Sequence, residues 1–184
     1  LYKYRNRIIY KKVKNPYRDI AKNLSNNKIV AVIFGKSEVG PRALGSRSIL
    51  ADPRKKGNWL KVNRIKKREY WRPFAPVIIE KYFHKYFCDS PKRTPFMLFT
   101  SRVKSKLIPA VTHVDRTSRV QTVNDKKLPI YKILNFFHKF TNLPILMNTS
   151  FNGPGEPIVE SLNDGLSFFL KSDISILYFN NFEI

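Results

Sequence analysis

The chain has 184 residues, of which 42% are hydrophobic and 14% aromatic, so whole-chain disorder is excluded and one domain with a substantial core is expected. No apolar run approaches the roughly 18 residues that a membrane-spanning helix needs, and the lone Cys88 excludes an internal disulfide and a cysteine-based zinc site. The formal net charge of +22 favours anionic partners such as nucleotides, nucleic acid or an acidic membrane surface.

The N-terminal segment is basic and is followed by a predicted helix. Residues 7–13 could form the last strand of a preceding domain or part of a flexible linker, and the apolar spacing of residues 17–26 predicts a helix. The chain begins with Leu1 and reads as a fragment of something longer. We therefore assign residues 1–27 to the tail of a preceding domain or linker plus a lead-in helix, and residues 28–184 to one domain.

A buried strand is predicted for residues 29–34, a continuous apolar run rich in β-branched residues. The loop that follows combines cations and hydroxyl groups with glycine, which lets backbone N–H groups approach a ligand. Its polar members are Lys36, Arg42, Arg47, Ser37, Ser46 and Ser48. Because guanidinium groups suit phosphate and carboxylate oxygens, the strand end is a candidate anion site, with an ordinary turn whose arginines face water as the alternative. A P-loop is excluded, since Val30 stands where its first glycine should be.

The remaining apolar patterns alternate between helical and extended spacing. Helices are predicted for residues 59–67, 80–87, 130–140 and 162–170, and strands for residues 77–79, 96–99, 103–108, 119–123, 144–147 and 174–179. Together they predict an α/β fold with its functional loops at the carboxyl ends of strands.

Several polar segments follow or end these apolar runs, and together they carry far more cations than carboxylates. They are the Gly-rich loop, Lys66 with Arg72, Arg116 with Arg119, and Asn148 with Ser150. A pocket built from them would bind a polyanion rather than abstract a proton with a pair of carboxylates. Simpler alternatives are that Lys66 lies on a solvated helix face and that Arg119 faces water from an edge strand. His113 and Asp115 lack the further ligands of a metal site, so no metal site is predicted and these side chains would order their loop.

Four long motifs in these segments resemble the successive signatures of the O-carbamoyltransferase family, which includes nodulation-factor and antibiotic-tailoring enzymes. They are GPRALGSRSILADPR (40–54), NRIKKREYWRPFAP (63–76), IPAVTHVDRTSRVQTV (108–123) and LMNTSFNGPGEPIV (146–159). The resemblance runs in order from residue 29 to the C terminus and is to the family's C-terminal, YrdC-like domain. It implies an open, twisted mixed sheet with flanking helices.

The resemblance also implies an enzymatic activity. The YrdC-like domain would bind ATP and carbamoyl phosphate and form carbamoyladenylate, with release of pyrophosphate and phosphate. An N-terminal actin- or sugar-kinase-like domain, absent from this sequence, would pass the carbamoyl group to a substrate hydroxyl. Mg²⁺ would bridge the ATP oxygens, since few protein carboxylates are available to hold a metal alone. A single cysteine fits a reducing cytoplasm, so we expect a cytoplasmic location and no membrane partner.

Motif position implies a role for each candidate residue. As catalytic residues, Lys66 and Arg72 would clamp the carbamoyl phosphate and the adenylate phosphate, and Arg119 would neutralise charge on the transferring group. Substrate- or nucleotide-binding roles fall to Arg42, Asn148, Ser150, Ser46, Arg47 and Arg116.

The sequence departs from the family pattern at two positions near these motifs. An aromatic residue is usual where Val39 stands, and a small residue is usual where Arg116 stands. The added charge could alter substrate selectivity or only add to the basic surface. Two alternative functions stay open: a basic YrdC-like RNA-binding module related to the synthesis of threonylcarbamoyladenosine in tRNA, and a fragment that folds without turnover.

Overall fold

The apolar runs of the sequence form a mixed β-sheet in the computed structural model, which describes residues 8–184. The strands are β1 (Lys11–Lys12), β2 (Val30–Ile33), β3 (Arg47–Ala51), β4 (Ala75–Ile79), β5 (Phe87–Cys88), β6 (Thr100–Val103), β7 (Thr117–Arg119), β8 (Gln121–Val123), β9 (Ile145–Ser150), β10 (Ile176–Phe179) and β11 (Phe182–Glu183). Eight of them form the main sheet in the order β1-β11-β10-β2-β3-β9-β4-β8, and β5, β6 and β7 form a smaller sheet. Pairing is parallel between β10 and β2 and between β4 and β8, and antiparallel elsewhere.

Helices flank the main sheet. They are α1 (Pro16–Ser25), α2 (Gly57–Ile65), α3 (Phe83–Tyr86), α4 (Pro129–Thr141) and α5 (Leu162–Phe169), with 3₁₀ turns at Glu80–Tyr82 and Pro109–Val111. α1 packs against α4, α4 also contacts β4 and β9, and α5 contacts β2. The helix starts follow from local sequence, because Asn15 accepts a hydrogen bond from the Arg18 N–H and Ser161 forms a capping box with Asp164. The predicted α/β class, with an open mixed sheet and flanking helices, is confirmed.

The predicted strands at 96–99 and 103–108 are wrong in position. The strand of this region is β6, which overlaps them only at Val103. Met97 has a φ of +56°, a left-handed conformation that ends any extended run. Phe96, Leu98 and Phe99 are exposed, so the apolar composition that predicted a strand here does not reflect burial in the core.

Two other boundaries also differ from the prediction. The expected strand at 119–123 is divided at Val120, so that β7 belongs to the small sheet and β8 to the main one. Arg47 and Ser48, expected in the Gly-rich loop, lie in β3 and are buried. Of the possible strand at 7–13, only β1 forms, paired with β11, and residue 7 lies outside the described residues.

The strand register brings the four motif segments to one end of the main sheet. Ser48 of β3 pairs with Ser150 of β9, and Ala75 of β4 pairs with Asn148 of β9. β8 lies parallel beside β4, so the loops before β3, β4 and β8 meet the loops after β2 and β9. The expected location at carboxyl ends holds for β2 and β9, whereas antiparallel pairing brings the amino ends of the other three strands to the same place. None of the helices within residues 8–184 combines the length and apolar composition needed to cross a membrane.

Candidate anion-binding site

The first candidate site is a polar cavity of about 100 Å³ at this end of the sheet. Three arginines, Arg42, Arg68 and Arg119, line it together with Asn148 and other residues of the converging loops. Within the described part of the chain, no Asp or Glu lines this three-arginine cavity. Guanidinium groups present planar sets of donors that match phosphate and carboxylate oxygens, so the arrangement suits a small anion.

The electrostatics of Arg119 are those of a cation that lacks a counter-charge. Burial and the neighbouring Arg42 both lower the pKa of Arg119. Its Nε is buried without a hydrogen-bond partner among the described residues, and so is the Oδ1 of Asn148, a second residue of the cavity wall. A buried donor or acceptor that lacks a partner costs about 1–3 kcal/mol. A bound anion with donor and acceptor atoms would offset both the repulsion and this cost.

Arg47 holds the chain around the Gly-rich loop and leaves no N–H for a ligand. Its guanidinium makes five hydrogen bonds to backbone carbonyls, which belong to Phe34, Gly35, Ser46 and, twice, Glu160. The side chain is only 4% exposed, and burial lowers its pKa. The role of substrate ligand that the sequence suggested for Arg47 is therefore replaced by a structural one.

Glu38 fixes the same loop by binding backbone N–H groups of the loop. Its carboxylate accepts hydrogen bonds from the backbone N–H groups of Leu44, Ser46 and Arg47 at 2.9–3.1 Å. Ser46, a predicted ligand, takes part through its backbone and does not line the three-arginine cavity. Glu38 was not among the predicted residues, although it is the one carboxylate between residues 35 and 46.

Two buried amides complete the attachment of the loop. Asn148 donates to the Ala43 carbonyl at 3.0 Å and to the side-chain oxygen of Gln121 at 2.8 Å. Gln121 in turn donates to the Leu44 carbonyl at 2.8 Å. The contacts to the loop hold the two residues that follow Arg42, so the backbone next to that cation is fixed by β8 and β9. Asn148 thus lines the cavity as predicted, and Gln121 is a supporting residue that the sequence analysis did not select.

Gly45 is required where this loop passes α4. Its φ is +123°, and a Cβ added there would lie 2.5 Å from the Cβ of Ile130. We expect Gly45→Ala to lower the free energy of unfolding by about 3 kcal/mol, because left-handed strain and overpacking add together. Urea denaturation would measure the change. Gly57→Ala is the control, since a Cβ at Gly57 meets nothing within 4 Å; an equal loss in both variants would contradict the argument.

Lys66 lies at the end of α2 and reaches the end of β9. Its ammonium group donates to the Ser150 carbonyl at 2.8 Å and to the Asn152 carbonyl at 2.9 Å, and it also contacts the side-chain oxygens of both residues. The residue is only 6% exposed, which excludes the solvated-face alternative. Burial, and then repulsion from Arg68, lower the pKa of Lys66 to about 7. Lys66 therefore contacts Ser150, which lines the cavity, whereas Lys66 itself does not line it.

The turn between α2 and β4 supplies Arg68 to the cavity, whereas the motif position implied Arg72. Arg72 does not line the cavity; its guanidinium pairs with Glu69 at 2.7 Å and its side chain is 48% exposed. Arg68 donates to the Asn63 side chain at 2.7 Å and lies over the ring of Phe74. Burial and Arg72 lower the pKa of Arg68 to about 10. The signal that was missed is the buried Asn63, which directs Arg68 back toward the helix end.

A second cavity of about 800 Å³ adjoins the first, and we call it the large groove. It shares Pro73 and Phe74 with the three-arginine cavity. Its other walls combine aromatic, aliphatic and basic side chains, among them Trp59, Trp71, Val111, Lys56, Lys104, Lys106 and Arg116. Arg116, a predicted ligand, therefore lies at the large groove and outside the three-arginine cavity.

His113 and Asp115 lie in the loop beside the groove. The Nδ1 of His113 is 3.2 Å from the Thr117 hydroxyl, and Asp115 accepts hydrogen bonds from the Thr117 N–H and hydroxyl at 2.9 and 2.7 Å. Within residues 8–184, no group of three or more His, Cys, Asp or Glu side chains is placed to hold a metal ion.

The fold is shared with a solved structure of otherwise low similarity. Full-length HypF, in its phosphate- and nucleotide-bound form, superposes with a TM-score of 0.62 at 20% identity, over 89% of this chain and 21% of that chain. This likeness shows the fold alone, which is the YrdC-like fold that the motifs implied.

Sequence comparison shows the family. The nodulation protein NolO of Bradyrhizobium diazoefficiens is 46% identical over 168 residues, which are 88% of this chain and 31% of NolO. The 3'-hydroxymethylcephem-O-carbamoyltransferase of Amycolatopsis lactamdurans is 40% identical over 147 residues, 77% of this chain and 27% of that protein. The chain thus spans between a quarter and a third of these relatives. The model of the family described as carbamoyltransferase C-terminus matches residues 21–184, so the chain belongs to the carbamoyltransferase C-terminus family.

Proposed function

We propose that this domain binds ATP and carbamoyl phosphate and joins the carbamoyl group to AMP. The observation that carries the proposal is the three-arginine cavity, which none of the described carboxylates lines, beside a groove of about 800 Å³. A groove of this volume is in the range of cavities that hold a cofactor-sized ligand. In this arrangement the small cavity binds the carbamoyl phosphate and the large groove binds the nucleotide.

The chemistry of the small cavity fits a carbamoyl compound. Arg42, Arg68 and Arg119 supply donors for phosphate oxygens, and Asn148 has a side-chain oxygen without a partner. A carbamoyl group carries both oxygen acceptors and an NH₂ donor, so it can pair with a guanidinium and with an amide oxygen at once. An anion with acceptor atoms alone would leave the Asn148 oxygen unpaired.

The large groove suits the base and ribose of a nucleotide. Trp59, Trp71 and Phe74 supply aromatic surface, and basic side chains stand beside them. Phe74 belongs to the walls of both cavities, so a nucleotide in the groove would have its α-phosphate near the arginines. The overall reaction consumes carbamoyl phosphate, ATP and one water, and it yields carbamoyladenylate, pyrophosphate and phosphate.

The residues of the cavity would act by charge stabilisation. Fixed cations directed at the α-phosphate lower the barrier by stabilising the charge that develops during displacement of pyrophosphate. Mg²⁺ would enter as part of the MgATP substrate, because none of the described carboxylates lines the arginine cavity. We place the reaction in the cytoplasm, in line with the single cysteine.

The acceptor half of the reaction is assigned to a separate domain. One relative is named as an O-carbamoyltransferase, and the chain covers only 27% of it. We propose that an N-terminal actin- or sugar-kinase-like domain of a longer protein transfers the carbamoyl group from carbamoyladenylate to a substrate hydroxyl.

The experiment is an assay of pyrophosphate release by the purified chain with MgATP. We expect release that requires carbamoyl phosphate and that is accompanied by formation of carbamoyladenylate, detected by mass spectrometry. Release that is independent of carbamoyl phosphate would contradict the proposal, and so would the absence of nucleotide binding by a folded chain.

RNA binding is the second candidate, and the net charge of +22 is the observation that favours it. An RNA-binding surface releases counterions, so the logarithm of its affinity falls steeply with the logarithm of salt concentration. Binding of tRNA measured between 50 and about 200 mM salt would show this slope. A cavity that binds carbamoyl phosphate would show a much shallower one.

A further inference from the structure

Arg116 occupies a backbone position that favours glycine. Its φ is +62°, its N–H donates to the His113 carbonyl at 3.0 Å, and the His113 N–H donates to the Thr117 carbonyl at 2.9 Å. This is the bond pattern of a three-residue loop that ends in a left-handed residue, the site at which glycine forms a bulge. A side chain there strains the backbone, and such strain marks a position where a functional requirement is worth examining.

No local contact accounts for the arginine side chain. Within residues 8–184 it makes no ion pair or side-chain hydrogen bond, and the adjacent Asp115 directs its carboxylate to Thr117. The side chain is exposed and lines the large groove. An unpaired cation in a strained loop therefore faces the cavity that we assign to the nucleotide.

Other cations share this wall. Lys56, at the start of α2, and Lys106, in the loop after β6, are both exposed and line the large groove. The three cations come from three separate segments, so their proximity to one groove does not follow from a local run of basic residues. They carry more positive charge than Asp115, the acidic residue of the described lining, can neutralise.

We propose that Arg116, together with Lys56 and Lys106, binds the β- and γ-phosphate groups of the nucleoside triphosphate and so makes the domain prefer ATP over AMP. This inference rests on the proposed function. The α-phosphate must lie near the three-arginine cavity, where it forms the bond to the carbamoyl group, while the β- and γ-phosphates leave together as pyrophosphate. A second set of cations along the groove would hold the leaving group away from the first.

The test uses Arg116→Gly, which removes the cation and relieves the backbone strain in one substitution. Calorimetric titration of the 184-residue chain with MgATP, ADP and AMP is expected to show about tenfold weaker ATP binding in the variant, since a charge-assisted hydrogen bond is lost. AMP affinity is expected to change less than about twofold. The melting temperature is expected to rise by about 2–4 °C, because the glycine is unstrained.

Two control variants separate charge and strain. Lys126→Gly removes an exposed cation outside both cavities, and Asn142→Gly relieves a left-handed residue, with φ of +57°, outside both cavities. Both are expected to bind ATP as the parent chain does. Unchanged ATP affinity in Arg116→Gly, or an equal loss for ATP and AMP, would overturn this inference and leave the proposed function standing. A parent chain that binds no nucleotide would overturn both.

Discussion

Replacing Arg119 with alanine is expected to lower carbamoyl-phosphate-dependent pyrophosphate release by about 10²–10³-fold, the usual effect of removing one preorganised group that stabilises transition-state charge. Arg119 lies in the three-arginine cavity and its Nε lacks a partner among the described residues. Because burial and Arg42 already lower its pKa, the folded chain gains little stability from this positive charge. The fold therefore does not depend on Arg119, and the free energy of unfolding is expected to change by less than about 1 kcal/mol.

Arg72→Ala is the matched control for this experiment. The guanidinium of Arg72 pairs with Glu69 and does not line the cavity, and exposed ion pairs contribute only about 0–1 kcal/mol. Pyrophosphate release by Arg72→Ala is expected to stay within about threefold of the parent chain. A large loss in Arg72→Ala with little loss in Arg119→Ala would show that the catalytic cations were assigned to the wrong side of the turn.

Strands β2 and β4 could be predicted because burial on both faces leaves a continuous apolar signal, whereas β3, which begins with Arg47 and Ser48, was not predicted. All four residues of β2 and all five of β4 are buried, and their sequences are apolar throughout. The segment around Met97 could not be predicted, since its aromatic residues have the composition of a strand but are exposed. Composition indicates only which residues favour a strand conformation. The location of β6 depends on its pairing with β5 and β7.

The cationic character of the cavity could also be predicted, because an excess of cations over carboxylates is a property of the motifs themselves. The cavity residues Arg42, Arg119, Asn148 and Ser150 were all among the predicted ligands. What the motifs could not provide is the direction of each side chain. Arg42 lies in the Gly-rich loop and lines the cavity. Arg47 follows the same loop, but its donors bind backbone carbonyls rather than facing the cavity.

The direction of the side chain also explains why Arg72 was predicted although Arg68 lines the cavity. Both arginines belong to one turn, and spacing alone does not distinguish them. Lys67 has a φ of +45°, which reverses the chain after α2 and returns Arg68 toward Asn63. Two arginines four positions apart can therefore lie on opposite sides of a turn whose geometry is set by tertiary contacts.

Lys66→Met is expected to lower the free energy of unfolding by about 3 kcal/mol at pH 9. The substitution leaves the carbonyls of Ser150 and Asn152 without the donor that they share, whereas the Asn152 side-chain oxygen keeps the Ser150 hydroxyl as a donor. Each unsatisfied buried acceptor costs about 1–3 kcal/mol. Since methionine recovers some apolar burial, the net loss is expected at the lower end of the sum. Urea denaturation of both chains gives the difference directly.

The pH dependence of this difference tests the protonation of Lys66. Its pKa is about 7 in the folded chain against 10.5 as the ordinary value, so between these limits the unfolded state binds the proton more tightly. Stability from Lys66 is therefore fully present above pH 10.5 and is lost as the pH falls from 10.5 through 7, with a slope of about 1.4 kcal/mol per pH unit between these limits. Lys66→Met is expected to lack this slope, whereas Lys61→Met, at an exposed position of the same helix, is expected to keep it. A parent chain with the same slope as Lys66→Met would mean that the oxygens of Ser150 and Asn152 hold the ammonium charged, and that a permanent cation lies behind Ser150 in the wall of the three-arginine cavity.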